Sequence, residues 1–201
     1  YPLQPPKKVM AGTISIDAVL MAGGSSQRFG GNKLLAHWQG RPLVCSLLER
    51  FPHKAFGRTV VVTRHPEVAA LAEGLGYEAL LRPEECQDIS GTIRAGLAAV
   101  QGGSGCLFAV CDQPLLSPPS VLRLAEHFQS HPHRIAALSY DGRRGNPVIF
   151  PASLYGELLT LPPGGSGGRV IKTHPQLLDL VEADFPEELL DVDTREDLQN
   201  L

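Results

Sequence analysis

Short apolar runs alternate with amphipathic helical patterns along this chain, and no other property of the sequence limits the choice of fold as strongly. The apolar runs are bounded by glycine, proline or polar residues and lie at Asp17–Met21, Thr59–Thr63 and Cys106–Val110. The helical patterns lie between and after them, at Pro42–Phe51, Pro66–Leu75, Thr92–Val100 and Pro118–Phe128. Because strands that alternate with helices form βαβ units, the sequence predicts an α/β fold. We expect three layers, with a mostly parallel sheet between helices on both faces.

The second half of the chain adds a predicted hairpin and a closing helix. Strand-like Ile135–Tyr140 and Pro147–Phe150 flank the turn-rich segment Asp141–Asn146, which predicts a small hairpin insertion. Thr194 and Asp197 have the spacing of a capping box, and they predict a helix that closes the chain.

Length and composition favour one domain with its own core. The chain has 201 residues, of which 43% are hydrophobic and 19% are charged. A domain of this size buries most of its apolar surface without disulfides. We expect residues 15–201 to form it. The proline-containing residues 1–14 predict an extended lead-in, either left over from expression or part of a linker in a longer polypeptide.

Composition also argues against several partners. The formal net charge is only −3, and no apolar run approaches the roughly 18 residues of a membrane helix. We therefore expect neither nucleic acid nor a membrane as a partner, and we expect a cytoplasmic protein. The cysteines lack metal-type Cys-x-x-Cys spacing, so we expect reduced core thiols at Cys45, Cys86, Cys106 and Cys111.

A glycine-rich segment directly after the first predicted strand carries the strongest functional signal. It runs from Ala22 to Lys33 and reads AGGSSQRFGGNK. Glycines let backbone amides approach a triphosphate closely, and Arg28 and Lys33 supply positive charge. The segment predicts a nucleoside triphosphate site formed by Ala22, Gly23, Gly24, Ser25, Ser26, Arg28 and Lys33. The alternative is a flexible surface turn with two solvated cations.

Two common phosphate-binding motifs are absent from this segment. A Walker motif requires Gly-Lys followed by Ser or Thr, whereas Lys33 lies between Asn32 and Leu34. The glycines also do not fit Gly-x-Gly-x-x-Gly, the dinucleotide fingerprint. A Walker-type phosphate loop is therefore excluded, and a nicotinamide-dependent dehydrogenase loses its main support.

An aspartate follows the third apolar run. Asp112 belongs to the sequence Cys-Asp-Gln-Pro, which directly follows Cys106–Val110. This position is the carboxyl end of a predicted strand, where ligands of α/β proteins bind. Mg²⁺ needs only one or two protein carboxylates, because it retains water and binds substrate phosphates. Asp112 is therefore a candidate magnesium ligand, and Mg²⁺ is the expected cofactor. The alternative is an aspartate that caps a turn before proline.

Four motifs, in their order and spacing, resemble those of the molybdenum cofactor cytidylyltransferases: AGGSSQRFGGNK, CDQP, GNPVIF and DVDTREDL. The resemblance covers nearly the whole chain from Asp17, and the related guanylyltransferases share the first motif. It implies a Rossmann-like fold and a nucleotidyltransferase that joins a nucleoside monophosphate to the terminal phosphate of molybdopterin. CTP or GTP would be the donor, and a molybdoenzyme or its chaperone is a candidate partner.

The resemblance also implies catalytic and metal-binding residues. Arg28, Lys33 and Asp112 would be the catalytic residues. The two cations would bind the triphosphate, and the aspartate would bind the metal. Asp191 or Asp193 would complete the metal site. We expect only one of these two to face the ion, and favour Asp193.

Further residues would contact the nucleoside and the acceptor. Ser90 and Thr92 would lie beside the base and ribose, although Thr92 could instead cap the following helix. Acceptor binding would fall to Gly145, Asn146, Pro147 and Arg169. A plain hairpin turn is the alternative interpretation of the first three.

Two departures from the family pattern bear on the substrates. Gly23 is typical of guanylyl enzymes, whereas cytidylyl members have alanine, and residues 164–169 (GGSGGR) lack an expected acidic residue. Since the other motifs match the cytidylyl group, we expect CTP, with GTP as the alternative. A sugar phosphate or other small phosphorylated compound is the alternative acceptor. A nonenzymatic nucleotide-binding protein that delivers a cofactor is the alternative from another class.

Overall fold

The computed structural model describes residues 15–24, 26–82 and 88–201. The predicted lead-in over 1–14, Ser25 and Cys86 lie outside these ranges. Within them the chain forms an α/β fold, with helices on both faces of a mostly parallel sheet, as the alternation of patterns predicts. Among the described helices, none is both long and apolar enough to cross a bilayer.

The described part of the chain contains nine strands. They are β1 (Ile16–Ala22), β2 (His37–Trp38), β3 (Arg41–Pro42), β4 (Thr59–Thr63), β5 (Glu78–Leu81), β6 (Gly105–Val110), β7 (Ile135–Tyr140), β8 (Arg143–Pro151) and β9 (Leu178–Glu182). β2 and β3 form a separate two-stranded ribbon, and the others form one sheet in the order β5-β4-β1-β6-β8-β7-β9. Only β8 runs against its neighbours in that sheet, as far as the described residues extend.

The predicted hairpin is present as β7 and β8, and it is continuous with the main sheet. β8 pairs antiparallel with β7 on one side and with β6 on the other, where Phe108 lies opposite Val148. Because β8 runs against β6, its first residues lie beyond the carboxyl end of β6. The start of β8 therefore reaches the sheet edge at which β1 and β6 end.

Seven α-helices occur in the same described ranges. They are α1 (Leu43–Arg50), α2 (Pro66–Gly74), α3 (Ile89–Val100), α4 (Pro118–Ser130), α5 (Tyr155–Leu159), α6 (Gly167–Thr173) and α7 (Arg195–Gln199). At the start of α7, the backbone N–H of Asp197 donates to the Thr194 hydroxyl at 3.1 Å, and the Thr194 N–H donates to the Asp197 carboxylate at 2.7 Å. The predicted capping box is confirmed.

Alternate residues of the central strands pack against different helices. Leu20 and Leu107 belong to a core that includes α1, α2 and α4. Their neighbours Val19 and Phe108 face the other way, into a core with α3, α5 and α6. The sheet therefore separates two apolar layers, as expected for a three-layer α/β fold.

Several elements differ from the sequence predictions. β5 and β9 are not predicted, because exposed side chains interrupt their apolar runs. α6 begins at Gly167, in a glycine-rich stretch for which no helix is predicted. α3 begins at Ile89 with Asp88 at its N-cap position, so Thr92 lies inside the helix. The interpretation of Thr92 as a helix cap is therefore wrong.

Three of the four cysteines lie in the described ranges, and all three are buried free thiols: Cys45, Cys106 and Cys111. Burial raises the pKa of each thiol. A raised pKa keeps a cysteine protonated and unreactive. The expectation of reduced core thiols is confirmed for these three.

Gly96 lies where α3 packs on the sheet. A Cβ at this position would lie 2.4 Å from Cγ1 of Val19 and 3.1 Å from Cγ2 of Val62. Both valines are fully buried, so the helix would have to move away from the sheet. We expect Gly96→Ala to lower the free energy of unfolding by about 1 to 3 kcal/mol, measured by urea denaturation.

Gly74→Ala is the matched control. Gly74 lies in α2, and a Cβ there would meet no heavy atom within 4 Å. Because alanine is the better helix former, we expect the free energy of unfolding to stay unchanged or to rise by up to about 1 kcal/mol. Equal effects of the two substitutions would contradict the close packing of α3 on β1.

Candidate active site

The glycine-rich segment and Asp112 lie side by side at one edge of the sheet. β1 pairs with β6 in parallel, with Met21 opposite Val110, so the two strands end at the same edge. The glycine-rich segment begins at Ala22, the last residue of β1, and Asp112 follows the end of β6. The topology thus brings together the two strongest signals of the sequence.

A cleft opens between the glycine-rich segment, the start of α3 and the end of β6. Its volume, including the open mouth, is about 610 Å³. Its walls contain six predicted site residues and four others. These are Ala22, Gly23, Gly24, Lys33, Thr92 and Asp112, together with Met21, Leu34, Ile89 and Val110.

Residues 26–33 of the glycine-rich segment form a compact turn. The backbone N–H of Phe29 donates to the Ser26 carbonyl at 3.0 Å, and that of Lys33 donates to the Ser26 hydroxyl oxygen at 3.3 Å. Ser26 and Gly30 have positive φ angles of 49° and 74°. A left-handed backbone is uncommon for serine, and such conformations cluster at ligand-binding sites. The turn holds Lys33 at the floor of the cleft.

Lys33 joins the glycine-rich segment to two carboxylates. Its Nζ lies 2.6 Å from Oδ2 of Asp112 and 3.1 Å from Oδ1 of Asp193. Lys33 is only 8% exposed. Burial by itself lowers the pKa of Lys33, but the two carboxylates outweigh this effect and raise it. Lys33 therefore carries a fixed positive charge inside the cleft.

Arg28 is the outer cation of the same group. Its guanidinium lies 2.9 Å from Oδ2 of Asp193, and 74% of its side chain is exposed. Exposed ion pairs contribute little to stability and rearrange easily. Arg28 can therefore exchange Asp193 for a phosphate oxygen at low cost.

The two oxygens of Asp112 have different environments. Oδ2 accepts a hydrogen bond from Lys33, whereas Oδ1 is buried and has no hydrogen-bond partner among the described residues. A buried carboxylate oxygen without a donor is unfavourable. Such an oxygen suits coordination of a hard cation.

Gln113 gives the two C-terminal aspartates different positions. Gln113 is only 1% exposed, and its Nε2 donates to Oδ1 of Asp191 at 2.9 Å. The backbone N–H of Val192 donates to the carbonyl of Asp112 at 2.9 Å. The segment 191–193 is thus attached to the residues that follow β6. Asp191 is held by Gln113, whereas Asp193 contacts the two cations.

The pKa of Asp191 is raised to about 6. Burial of the carboxyl group is the largest cause, followed by the negative charge of Asp112. Because the residue as a whole is exposed, solvent reduces the contribution of burial to this pKa. Repulsion from Asp112 and Asp193 therefore accounts for much of the raised pKa. Three crowded carboxylates favour a bound cation at this place.

Ser90 and Thr92 lie in different surroundings. Thr92 lines the cleft beside Gly23, where an added Cβ would lie 3.5 Å from Thr92 Oγ1. The same oxygen accepts a hydrogen bond from Arg82 at 2.8 Å. Ser90 is fully buried, and its hydroxyl donates to the carboxylate of Asp88. The structure brings Thr92, but not Ser90, to the cleft wall.

A second cleft, of about 640 Å³, adjoins the first. The shared wall is formed by Met21, Ile89 and Val110. Most of the remaining wall is apolar and comes from β6, β8, α5 and α6. Its polar side chains are those of Arg144, Asn146 and Ser166.

The predicted acceptor residues do not all meet at this second cleft. Asn146 lines it. Pro147 is buried, Gly145 is half-buried beside the Leu189 side chain, and neither lines this cleft. Arg169 lines a separate surface depression beside α5. The structure therefore does not bring Arg169 to either cleft.

Arg82, Gln113 and Arg144 contact or line the site without having been singled out from the sequence. Gln113 lies within CDQP and Arg144 directly precedes GNPVIF. Their proximity to these motifs is the signal that points to them. Arg82 follows β5, a strand that the sequence does not predict, and no comparable signal marks it.

Comparison with known proteins identifies relatives over most of the chain. Residues 18–178 match the family described as the MobA-like NTP transferase domain. The molybdenum cofactor guanylyltransferase of Histophilus somni strain 129Pt is 33% identical over 159 residues, which cover 76% of this chain and 74% of the relative. The molybdenum cofactor guanylyltransferase of Shewanella sediminis is 28% identical over 142 residues, covering 69% of each chain.

A solved structure of a nucleotidyl transferase has a similar fold. A nucleotidyl transferase from Methanothermobacter superposes with a TM-score of 0.77 at 24% sequence identity, and the match covers 92% of this chain and 95% of that one. The family match includes the glycine-rich segment and Asp112. The chain therefore belongs to the MobA-like NTP transferase domain family, a family of nucleotidyltransferase enzymes.

Proposed function

We propose that this protein transfers the GMP group of GTP to the terminal phosphate of molybdopterin and releases pyrophosphate. The main supporting observation is the glycine-rich turn that holds Lys33 against Asp112 and Asp193, with a second cleft alongside. This arrangement suits a triphosphate on one side and a phosphorylated acceptor on the other. The two curated relatives described above are named molybdenum cofactor guanylyltransferase, which favours this acceptor.

GTP replaces CTP as the favoured donor. The expectation of CTP rests on motifs shared with cytidylyl enzymes, whereas the relatives described above are guanylyltransferases. Gly23 agrees with GTP, because a glycine at the cleft entry leaves more room for a purine. We propose that the base lies against Gly23 and Thr92, which are neighbours in the wall of the first cleft.

In the proposed reaction, an oxygen of the acceptor phosphate attacks the α-phosphorus of GTP. A new oxygen–phosphorus bond forms while the bond from the α-phosphorus to the pyrophosphate oxygen breaks. The attacking oxygen is already anionic, so no protein nucleophile is required. Lys33, Arg28 and the amides of the turn neutralise charge on the triphosphate. Each contact of this kind typically contributes about 10²-fold to 10³-fold in rate.

We also propose Mg²⁺ as the cofactor. Asp112 would hold it through Oδ1, the buried oxygen without a partner among the described residues. One or two carboxylates suffice for this ion. Asp193 is the better second candidate, because it shares Lys33 with Asp112, whereas Asp191 is engaged by Gln113. When bound, the ion supplies positive charge to the phosphates.

The direct test measures pyrophosphate release with each of the four ribonucleoside triphosphates, with and without molybdopterin. We expect release only when GTP and molybdopterin are both present, with the guanylyl adduct detected by mass spectrometry. If CTP is used at least ten times better by kcat/KM, a margin of about 1.4 kcal/mol, the cytidylyl alternative is correct. If the nucleotide is transferred to a sugar phosphate and not to molybdopterin, the acceptor is a sugar phosphate. Nucleotide binding without turnover would indicate a delivery protein.

Gly23→Ala tests the position of the base. The added methyl would make ordinary contact with Thr92 Oγ1, so the fold tolerates it. It would narrow the space that we assign to the purine. One methyl typically changes selectivity by about 1 to 3 kcal/mol, so we expect kcat/KM for GTP to fall by about 10-fold to 200-fold. Steady-state kinetics with GTP and CTP would measure this, with CTP as the internal reference.

The ratio of the two nucleotides decides the result. If the base lies against Gly23 and Thr92, the kcat/KM ratio of GTP to CTP falls while CTP activity changes little. Equal losses for both nucleotides would instead assign Gly23 to the phosphates or to the shape of the turn. Thermal denaturation of the variant would confirm that it is folded.

A further inference from the structure

The second cleft has one cationic side chain among the described residues of its wall, that of Arg144. We infer that Arg144 binds the phosphate of the acceptor and thereby determines which acceptors are used. This inference rests on the proposed function, since it concerns the same transfer reaction. It names a residue that touches the second substrate and not the nucleotide.

The position of Arg144 follows from the topology. Val148 lies opposite Phe108 in the β6–β8 pair, so Asn146 lies level with the last residue of β6 and Arg144 lies beyond it. Asp112 follows that same strand end. The start of β8 therefore lies at the sheet edge that also carries the catalytic aspartate. A phosphate bound by Arg144 would lie on the acceptor side of the shared wall between the two clefts.

Arg144 has no internal partner that would explain it as a structural residue. Its side chain makes no hydrogen bond or ion pair with the rest of the described chain, and it is exposed. No carboxylate contributes to the described wall of the second cleft. A cation that faces a mostly apolar cleft without a counter-ion provides a site for an anion.

The rest of the wall indicates what accompanies that anion. Phe108, Val148, Phe150 and Leu158 are apolar and buried, and Asn146 adds an amide that can both donate and accept hydrogen bonds. The cleft therefore fits a ligand with a partly apolar ring system, a few polar ring atoms and one phosphate. A small sugar phosphate would leave most of this apolar surface uncovered.

The cations already assigned to the substrates lie outside the described wall of the second cleft. Lys33 contacts Asp112 and Asp193 in the first cleft, and Arg28 contacts Asp193. Arg169, the arginine that the sequence suggests for the acceptor, lines a different depression. Arg144 is therefore the described cation placed to neutralise a phosphate in the second cleft.

The test compares Arg144→Ala and Arg144→Gln with Arg143→Ala in the full chain. Arg143 is also exposed, but successive residues of a strand point to opposite faces, so it is the matched control. Charge-assisted hydrogen bonds to phosphate suggest a rise in KM for molybdopterin of about 10-fold to 100-fold in the Arg144 variants. We expect KM for GTP to stay within about twofold and Arg143→Ala to resemble wild type.

Arg144→Lys adds a readout that a structural role would not produce. Lysine keeps the charge but lacks the planar fork, so we expect it to restore part of the affinity for molybdopterin. The assignment to Arg144 would be overturned if KM for molybdopterin stays unchanged in Arg144→Ala and Arg144→Gln. It would also be overturned if KM for molybdopterin rises in Arg169→Ala and in none of the Arg144 variants. Failure of wild type to transfer GMP to molybdopterin would overturn the proposed function itself. Thermal denaturation of each variant would separate loss of binding from loss of fold.

Discussion

Asp112→Asn is expected to lower turnover by at least about 10²-fold while leaving the fold intact. Asparagine keeps the shape of aspartate but removes the negative charge. Oδ1 of Asp112 is buried without a partner among the described residues, and the neutral amide is a poor ligand for Mg²⁺ in its place. The measurement is kcat for pyrophosphate release at saturating GTP and molybdopterin, repeated over a magnesium titration.

Asp184→Asn is a suitable control for this substitution. Asp184 pairs with Arg123 at 2.8 Å on the surface and does not line either cleft. An exposed pair contributes at most about 1 kcal/mol, so turnover is expected to remain normal. Near-normal activity of Asp112→Asn, with unchanged magnesium dependence, would remove Asp112 from the metal site.

Lys33→Ala is expected to weaken all triphosphates alike, with kcat/KM falling by at least about 10²-fold. Lys33 is buried at the floor of the first cleft, and the carboxylates of Asp112 and Asp193 keep it charged. Its removal takes away the positive charge on which the phosphates depend. It also leaves two carboxylates facing each other, which adds repulsion to any bound nucleotide. Kinetics with GTP and CTP would measure the loss for each base.

Arg28 provides a graded comparison with Lys33. Because Arg28 is exposed, Arg28→Ala should cause a smaller but equally base-independent loss. Arg28→Lys should remain impaired, since a point charge does not reproduce the planar fork of a guanidinium. A loss confined to one base in any of these variants would contradict phosphate binding. Urea denaturation of Lys33→Ala is needed as well, because loss of a buried partner destabilises a protein.

The order of elements in this fold could be predicted from hydrophobic patterns, since central strands such as β1, β4 and β6 are continuous apolar runs. The edge strands β5 and β9 could not, because each is partly exposed and contains polar residues. The start of α3 was also missed. Asp88 takes the N-cap position, and Thr92 was the more obvious candidate from its sequence neighbours.

Some residues of the candidate site could be predicted from the sequence and others could not. Lys33 and Asp112 could be identified because each lies in a short local motif, and the structure brings them within 2.6 Å. The sequence favours Asp193 over Asp191, but strand alternation gives no ground for this choice, since residues two apart on an extended segment share a face. Their different contacts depend on Gln113 and Lys33, which are remote in sequence. The same applies to Arg169, whose distance from the second cleft no local pattern reveals.

The reversed direction of β8 has an evolutionary consequence. In the proposed function, the nucleotide side of the site comes from residues up to Asp112 together with Asp193, whereas most of the acceptor side comes from β8, α5 and α6, later in the chain than Asp112. Insertions or substitutions in the later segment can therefore change the acceptor without disturbing the triphosphate turn. A gene with this arrangement can diversify its second substrate while retaining one mode of activation. Chimeras joined between β6 and β7 would exchange acceptor preference between relatives as a unit.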